Sequence, residues 1–150
     1  MRVLSAVAIW AIVFSTNAGA ESETTPNELQ CEFGYSSSAV ATPDTRYFTA
    51  AINRATDADF VTFYNIDLAG GRAQISGTKV DSDMVLFSER STNWTFTEFT
   101  ERGDTYVTEV FREAEPGAAN GVYRVVRSKQ WTEFGSVYGQ QFYGVCATPD

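Results

Sequence analysis

Few residues in this chain have the types and spacing to do chemistry. Glu98 and Glu109 stand on either side of a polar break, Glu101-Arg102-Gly103-Asp104. Arg127 follows them, and Tyr143 lies in an aromatic run close to the C-terminus. Two carboxylates at a fixed separation can run glycoside hydrolysis. An arginine among acids and aromatics can instead orient a polar ligand. The chain has no histidine, which removes Ser-His-Asp and Cys-His catalysis, His-ligated zinc and the usual general base together. It also has no phosphate loop, nucleophile elbow or calcium loop. Asp81 and Asp83 read as turn residues. No metal site and no cofactor is expected, and no motif specifies an enzyme.

The acids belong to a hairpin. Residues 94–100 and 105–111 are two runs of β-branched and aromatic residues flanking the break, with Gly103 inside it. An even turn makes 100 face 105, 98 face 107, 96 face 109 and 94 face 111. One face then carries Trp94, Phe96, Glu98 and Thr100 opposite Phe111, Glu109, Val107 and Thr105. The two glutamates become diagonal neighbours, about 7–8 Å apart. Pairing 113 with 121 adds Tyr123, Val125 and Arg127 to that face. Three readings stay open for this cluster. It is a solvated face if the turn is odd or the strand bulged, a buried structural ion pair, or a ligand site formed by Glu98, Glu109, Arg127 and Tyr143. A surface of alternating aromatics that binds sugar or lipid is a further option.

The elements around the hairpin are also strands. Residues 29–35 alternate, and Ser36-Ser37-Ser38 and Thr42-Pro43-Asp44 read as loop. Residues 46–53 fit a strand better than a short helix. Residues 60–66 form a clear strand bounded by Asp57-Ala58-Asp59. Residues 72–78 form a weaker one. Residues 83–89 look apolar on both faces. After the turn signals Glu115-Pro116-Gly117 and Asn120-Gly121, strands follow at 122–128 and 137–146, joined by a bend at 133–136. Gly139 and Gly144 suggest bulges or close backbone approach. Seven to nine short strands with regular turns predict an all-β, antiparallel meander: an up-and-down barrel or strongly curved sheet.

The ends bear on location. Arg2, the apolar run 3–14 and Ala18-Gly19-Ala20 form a secretory signal pattern. That divides the chain into a signal peptide at 1–20, a flexible leader at 21–30 and one β domain at 31–150. No membrane span is expected after cleavage. Without Arg2 the chain has ten bases against nineteen acids, a net charge of −9. The charges are interspersed, which favours solubility and disfavours nucleic acid and anionic membranes. Cys31 and Cys146, the two cysteines, should form a disulfide in an exported protein and draw the first and last strands together. Asn93-Trp94-Thr95 has the N-glycosylation pattern, relevant only in a eukaryote.

The hairpin pattern Phe96-x-Glu98-x-Thr100-x-x-Gly103, then Thr108-x-Val110-Phe111, resembles an uncharacterised family of small exported β-proteins of alphaproteobacteria. The ending Gln141-Phe142-Tyr143-Gly144-Val145-Cys146 is similar to that family's Tyr-Gly-x-Cys terminus. An arginine like Arg127 sits between the two motifs in the family. The similarity covers the second half of the chain. Residues 33–44 depart from it, because relatives often carry extra cysteines there. The resemblance implies a periplasmic or secreted location and supplies no activity. The reading reached is a non-enzymatic small-ligand-binding or envelope-associated module, whose partner is a small ligand or an envelope protein. The alternatives are a protein-interaction module using an exposed sheet face or edge, and a carboxylate-dependent hydrolase.

Overall fold

The computed structural model describes residues 24–41, 49–77, 84–114 and 121–149. The signal pattern at 1–20, the turn residues 42–44 and 115–120, and Asp81 and Asp83 lie outside them. Eight strands follow one another: β1 (Glu28–Ala41), β2 (Thr49–Asp67), β3 (Arg72–Gly77), β4 (Met84–Glu89), β5 (Asn93–Phe99), β6 (Thr105–Ala114), β7 (Val122–Glu133) and β8 (Ser136–Ala147). Each pairs antiparallel with the next, and β8 pairs with β1, closing an up-and-down barrel. Closure leaves no free sheet edge where the ladders are complete. Cys31 and Cys146 are cross-strand partners and form the disulfide. The bond closes a sequence separation of 115 residues, worth up to about 4–5 kcal/mol in the chain-entropy model.

Alternation sorts the side chains. Leu29, Cys31 and Phe33 of β1, Val61 and Phe63 of β2, Ile75, Phe87, Trp94, Phe96, Val110, Tyr123, Val125 and Cys146 all point inward and form one buried core. Phe63 stacks on Phe96 at 3.9 Å and Trp94 meets Tyr123 edge-on at 5.1 Å. These inward-facing side chains fill the described interior, as in other small barrels. Gly144 permits the β1–β8 approach: a Cβ there would lie 1.8 Å from the Glu32 carbonyl oxygen.

Several boundaries differ from the sequence reading. Ser36-Ser37-Ser38, expected as loop, lies within β1, and Asp57-Ala58-Asp59, expected as a boundary, lies within β2. β1 is paired on both sides through the serines, with β2 and with β8. Two ladders of backbone hydrogen bonds outweigh weak local strand preference. β1 also begins at Glu28, inside the stretch read as leader. β7 runs on to Glu133, beyond the strand expected at 122–128. The β4 segment is not apolar on both faces in burial: Val85 and Phe87 are inside, Met84 and Leu86 outside.

Candidate functional site

The hairpin between β5 and β6 has an odd turn. Asn93 pairs with Phe111, Phe96 with Thr108 and Glu98 with Tyr106. This corrects the even register. The Gly103 amide donates to the Thr100 carbonyl, the Thr100 amide to the Asp104 carbonyl, and the Asp104 amide to the Thr100 hydroxyl. Gly103 has φ +85°. A three-residue loop ending on a left-handed glycine is a standard hairpin connection. The shift moves Val110, Thr108 and Tyr106 inside, and Phe111, Glu109 and Val107 outside. The expected pairing of 113 with 121 is corrected too: Arg127 pairs with Thr108 and Val110 with Val125. Two one-residue slips cancel, so Arg127 still shares a face with Glu98.

Inside the barrel, Arg127 Nη2 donates to Glu98 Oε2 at 2.7 Å. Arg127 Nη1 donates to the Thr108 hydroxyl at 3.0 Å, and the guanidinium lies over the Tyr106 ring at 4.4 Å. The two side chains are 6% and 1% exposed. A buried pair of this kind is tolerated when its remaining hydrogen bonds are met. Glu98 Oε1, however, has no partner among the described residues. Further along the same inner wall, Lys129 Nζ meets Asp104 Oδ2 at 2.9 Å and lies over the Tyr106 and Trp131 rings. Burial works to lower the Lys129 pKa. Hydrogen bonding and charge from Tyr106 and Asp104 outweigh it and hold the ammonium above its usual value of 10.5. Trp131 stacks on Tyr138 at 5.0 Å.

The other two candidates are elsewhere. Glu109 is exposed on the outer wall, where the Asn93 amide donates to it at 3.1 Å. Glu98 and Glu109 therefore lie on opposite faces of the sheet and share no cleft. Asn93 is itself buried, with its amide also bonded to Thr95, so the glycosylation pattern there presents no free acceptor. Tyr143 is on the outer face of β8. Its hydroxyl donates to Gln141 Oε1 at 2.7 Å and lies 3.4 Å from the Ser37 hydroxyl.

Tyr143 lines a groove of about 700 Å³, open to solvent. Register explains its composition. On the outer face, Arg124, Val145 and Glu32 form one row across β7, β8 and β1, and Val126, Tyr143 and Tyr35 form the next. Phe111 of β6 completes the wall. Tyr35, Val145 and Tyr143 are 53%, 38% and 37% exposed. The groove lies between two ladder irregularities, at Phe33/Tyr35 in β1 and at Val110/Ala114 in β6. Bulges bend the bulged strand and increase its twist, which hollows the outer face there. A charged residue thus sits at each end of an apolar floor.

Sequence reasoning singled out Tyr143 but not Tyr35, Val126 or Val145. Their row depends on β8–β1 pairing, which only the disulfide hinted at. It also missed Glu89, whose Oε1 accepts from Thr25, Trp94 and Arg112 at 3.0, 3.2 and 3.0 Å. Among the described residues no cluster of His, Cys, Asp and Glu could hold a metal ion. Comparison with protein-family models, with curated proteins and with solved structures returns no match.

Proposed function

We propose that the protein is a non-enzymatic binding module of an exported compartment, which holds an apolar or aromatic group of a partner surface in the outer groove around Tyr143. The carrying observation is the groove itself: half-exposed aromatic and aliphatic side chains on one floor, with Arg124 and Glu32 at its ends. Contiguous apolar surface of this kind on a folded domain marks interaction sites. The groove is open on one side, whereas sites for free small ligands enclose most of the ligand. A partner surface is therefore favoured over a free small molecule. The described interior is packed by stacked rings, so it offers no comparable support for a ligand inside the barrel. Glu98 and Glu109 on opposite faces give no support to a paired-carboxylate hydrolase.

Export is supported by the signal pattern at 1–20 and by the disulfide, which is consistent with an oxidising compartment outside the cytoplasm. The family resemblance favours a periplasmic or secreted location.

The test uses the oxidised chain and an uncharged aromatic fluorescent probe, phenylnaphthylamine. Native protein should take up the probe, and Val145→Arg, which fills the groove with charge, should abolish uptake without lowering the melting temperature. A folded native protein that takes up none would contradict the reading.

A further inference from the structure

The β7–β8 hairpin carries a feature that the fold alone does not require. Its ladder runs to the pair Glu133–Ser136, past the last β6 partner at Gln130. The two connecting residues are Phe134 and Gly135, with φ +48° and +76°. Two positive φ values define a type I′ turn, whose first position favours Asn, Asp or Gly. A bulky residue in the left-handed region is strained. Phe134 is moreover 95% exposed. Strain and exposure together make phenylalanine a poor choice for the turn, and an apt one for a contact made by the tip. The stacked Trp131–Tyr138 pair stiffens the hairpin just behind it.

Resting on the groove reading above, we infer that the groove's occupant is the β7–β8 tip of a second copy of this chain, with Phe134 on the floor formed by Tyr35, Tyr143 and Val145. Shape and charge both fit. The tip is convex and the groove concave. The tip carries an acid, Glu133, beside the aromatic ring, and the groove carries Arg124 at one end. Arg124 is 53% exposed, and its distance to Glu113 is a loose 3.9 Å, so it is free to exchange partners. The groove row at Arg124 lies ten residues from Phe134 along β7, about 30 Å of strand. A chain's own tip cannot fold back across that distance along a paired ladder. The contact joins unlike surfaces, so reciprocal insertion stops at two chains and head-to-tail insertion adds chains with concentration.

Sedimentation velocity on the oxidised chain, over the roughly micromolar to millimolar range of weak interfaces, tests this. Native protein should associate. Phe134→Asn should weaken association at least about tenfold while raising the melting temperature, because Asn-Gly suits the turn. Val145→Arg should also be monomeric. Mixing the two should restore association, since one supplies a groove and the other a tip. A native protein that stays monomeric throughout, or a Phe134→Asn variant that associates like native, overturns the inference. A monomeric native protein that still takes up the aromatic probe in a Val145-dependent way leaves the groove reading standing and removes only the second copy. Failure of both tests removes both.

Discussion

Arg127 and Arg124 stand three residues apart on β7, on opposite walls of the barrel. Arg127 points inward, 2.7 Å from the Glu98 carboxylate and sealed from water. Arg124 points outward, with Glu113 at 3.9 Å and both side chains more than half exposed. Glu98 and Glu109 repeat the contrast across the hairpin: one is the acid of a buried pair, the other an exposed acceptor for Asn93. One strand thus serves two ends. Its inner residues hold the fold, and its outer residues meet whatever approaches the barrel. The same charge has opposite worth on the two walls, because desolvation makes an inner pair costly to break and solvent makes an outer pair cheap.

Variants should separate the walls in stability, measured by denaturant unfolding. Phe96→Ala should cost most, about 3–5 kcal/mol, since it empties space under Phe63 and Phe87. Arg127→Met should cost about 3 kcal/mol by stranding the Glu98 carboxylate, and the double variant Glu98→Leu/Arg127→Met should recover most of that loss. A double variant no better than the single would show that the pair itself, not stranded charge, sets the cost. Arg124→Ala should change stability by less than about 1 kcal/mol; a large loss would erase the contrast.

Lys129 gives the smallest effect, visible only in alkali. Its folded pKa is raised above 10.5. Its contribution is therefore complete below 10.5 and is lost as pH climbs through the raised value. Both side chains of the pair reach solvent, 23% and 18% exposed, and screening there keeps the contribution small. The difference in stability between native protein and Lys129→Met should be constant at neutral pH and shrink only above about pH 10.5. A difference that shrank in acid instead would mean that Asp104, not Lys129, controls the contact.

Much of the fold was legible because alternation and turn residues are local signals. Seven to nine strands in an antiparallel meander follow from them, and the Cys31–Cys146 bond follows from a lone cysteine pair behind an export signal. The site was less legible because side-chain direction depends on parity. Reading 101–104 as a four-residue turn inverted the face of every β6 residue. The signal against it was available: Gly103 occupies the third position of a three-residue loop, where a left-handed residue is needed. The irregularity at Val110/Ala114, where four steps along β6 match two along β7, had no such marker, and the expected pairing of 113 with 121 misses the observed pairing of Arg127 with Thr108 by one residue. Arg127 came out facing Glu98 only because the two errors cancelled. The groove needed more than parity. Its floor is built from β7, β8 and β1, strands brought together by barrel closure, so Tyr35 and Tyr143 become neighbours although they are far apart in sequence.

On the proposed function, recognition belongs to the outer wall of β7, β8 and β1, and the inner wall only supports it. The most direct measurement is uptake of the aromatic probe by two folded variants side by side, Val145→Arg and Glu98→Leu/Arg127→Met. Uptake should vanish in the first and persist in the second. Uptake that survives Val145→Arg but disappears with the interior pair would contradict it and move the binding site inside the barrel.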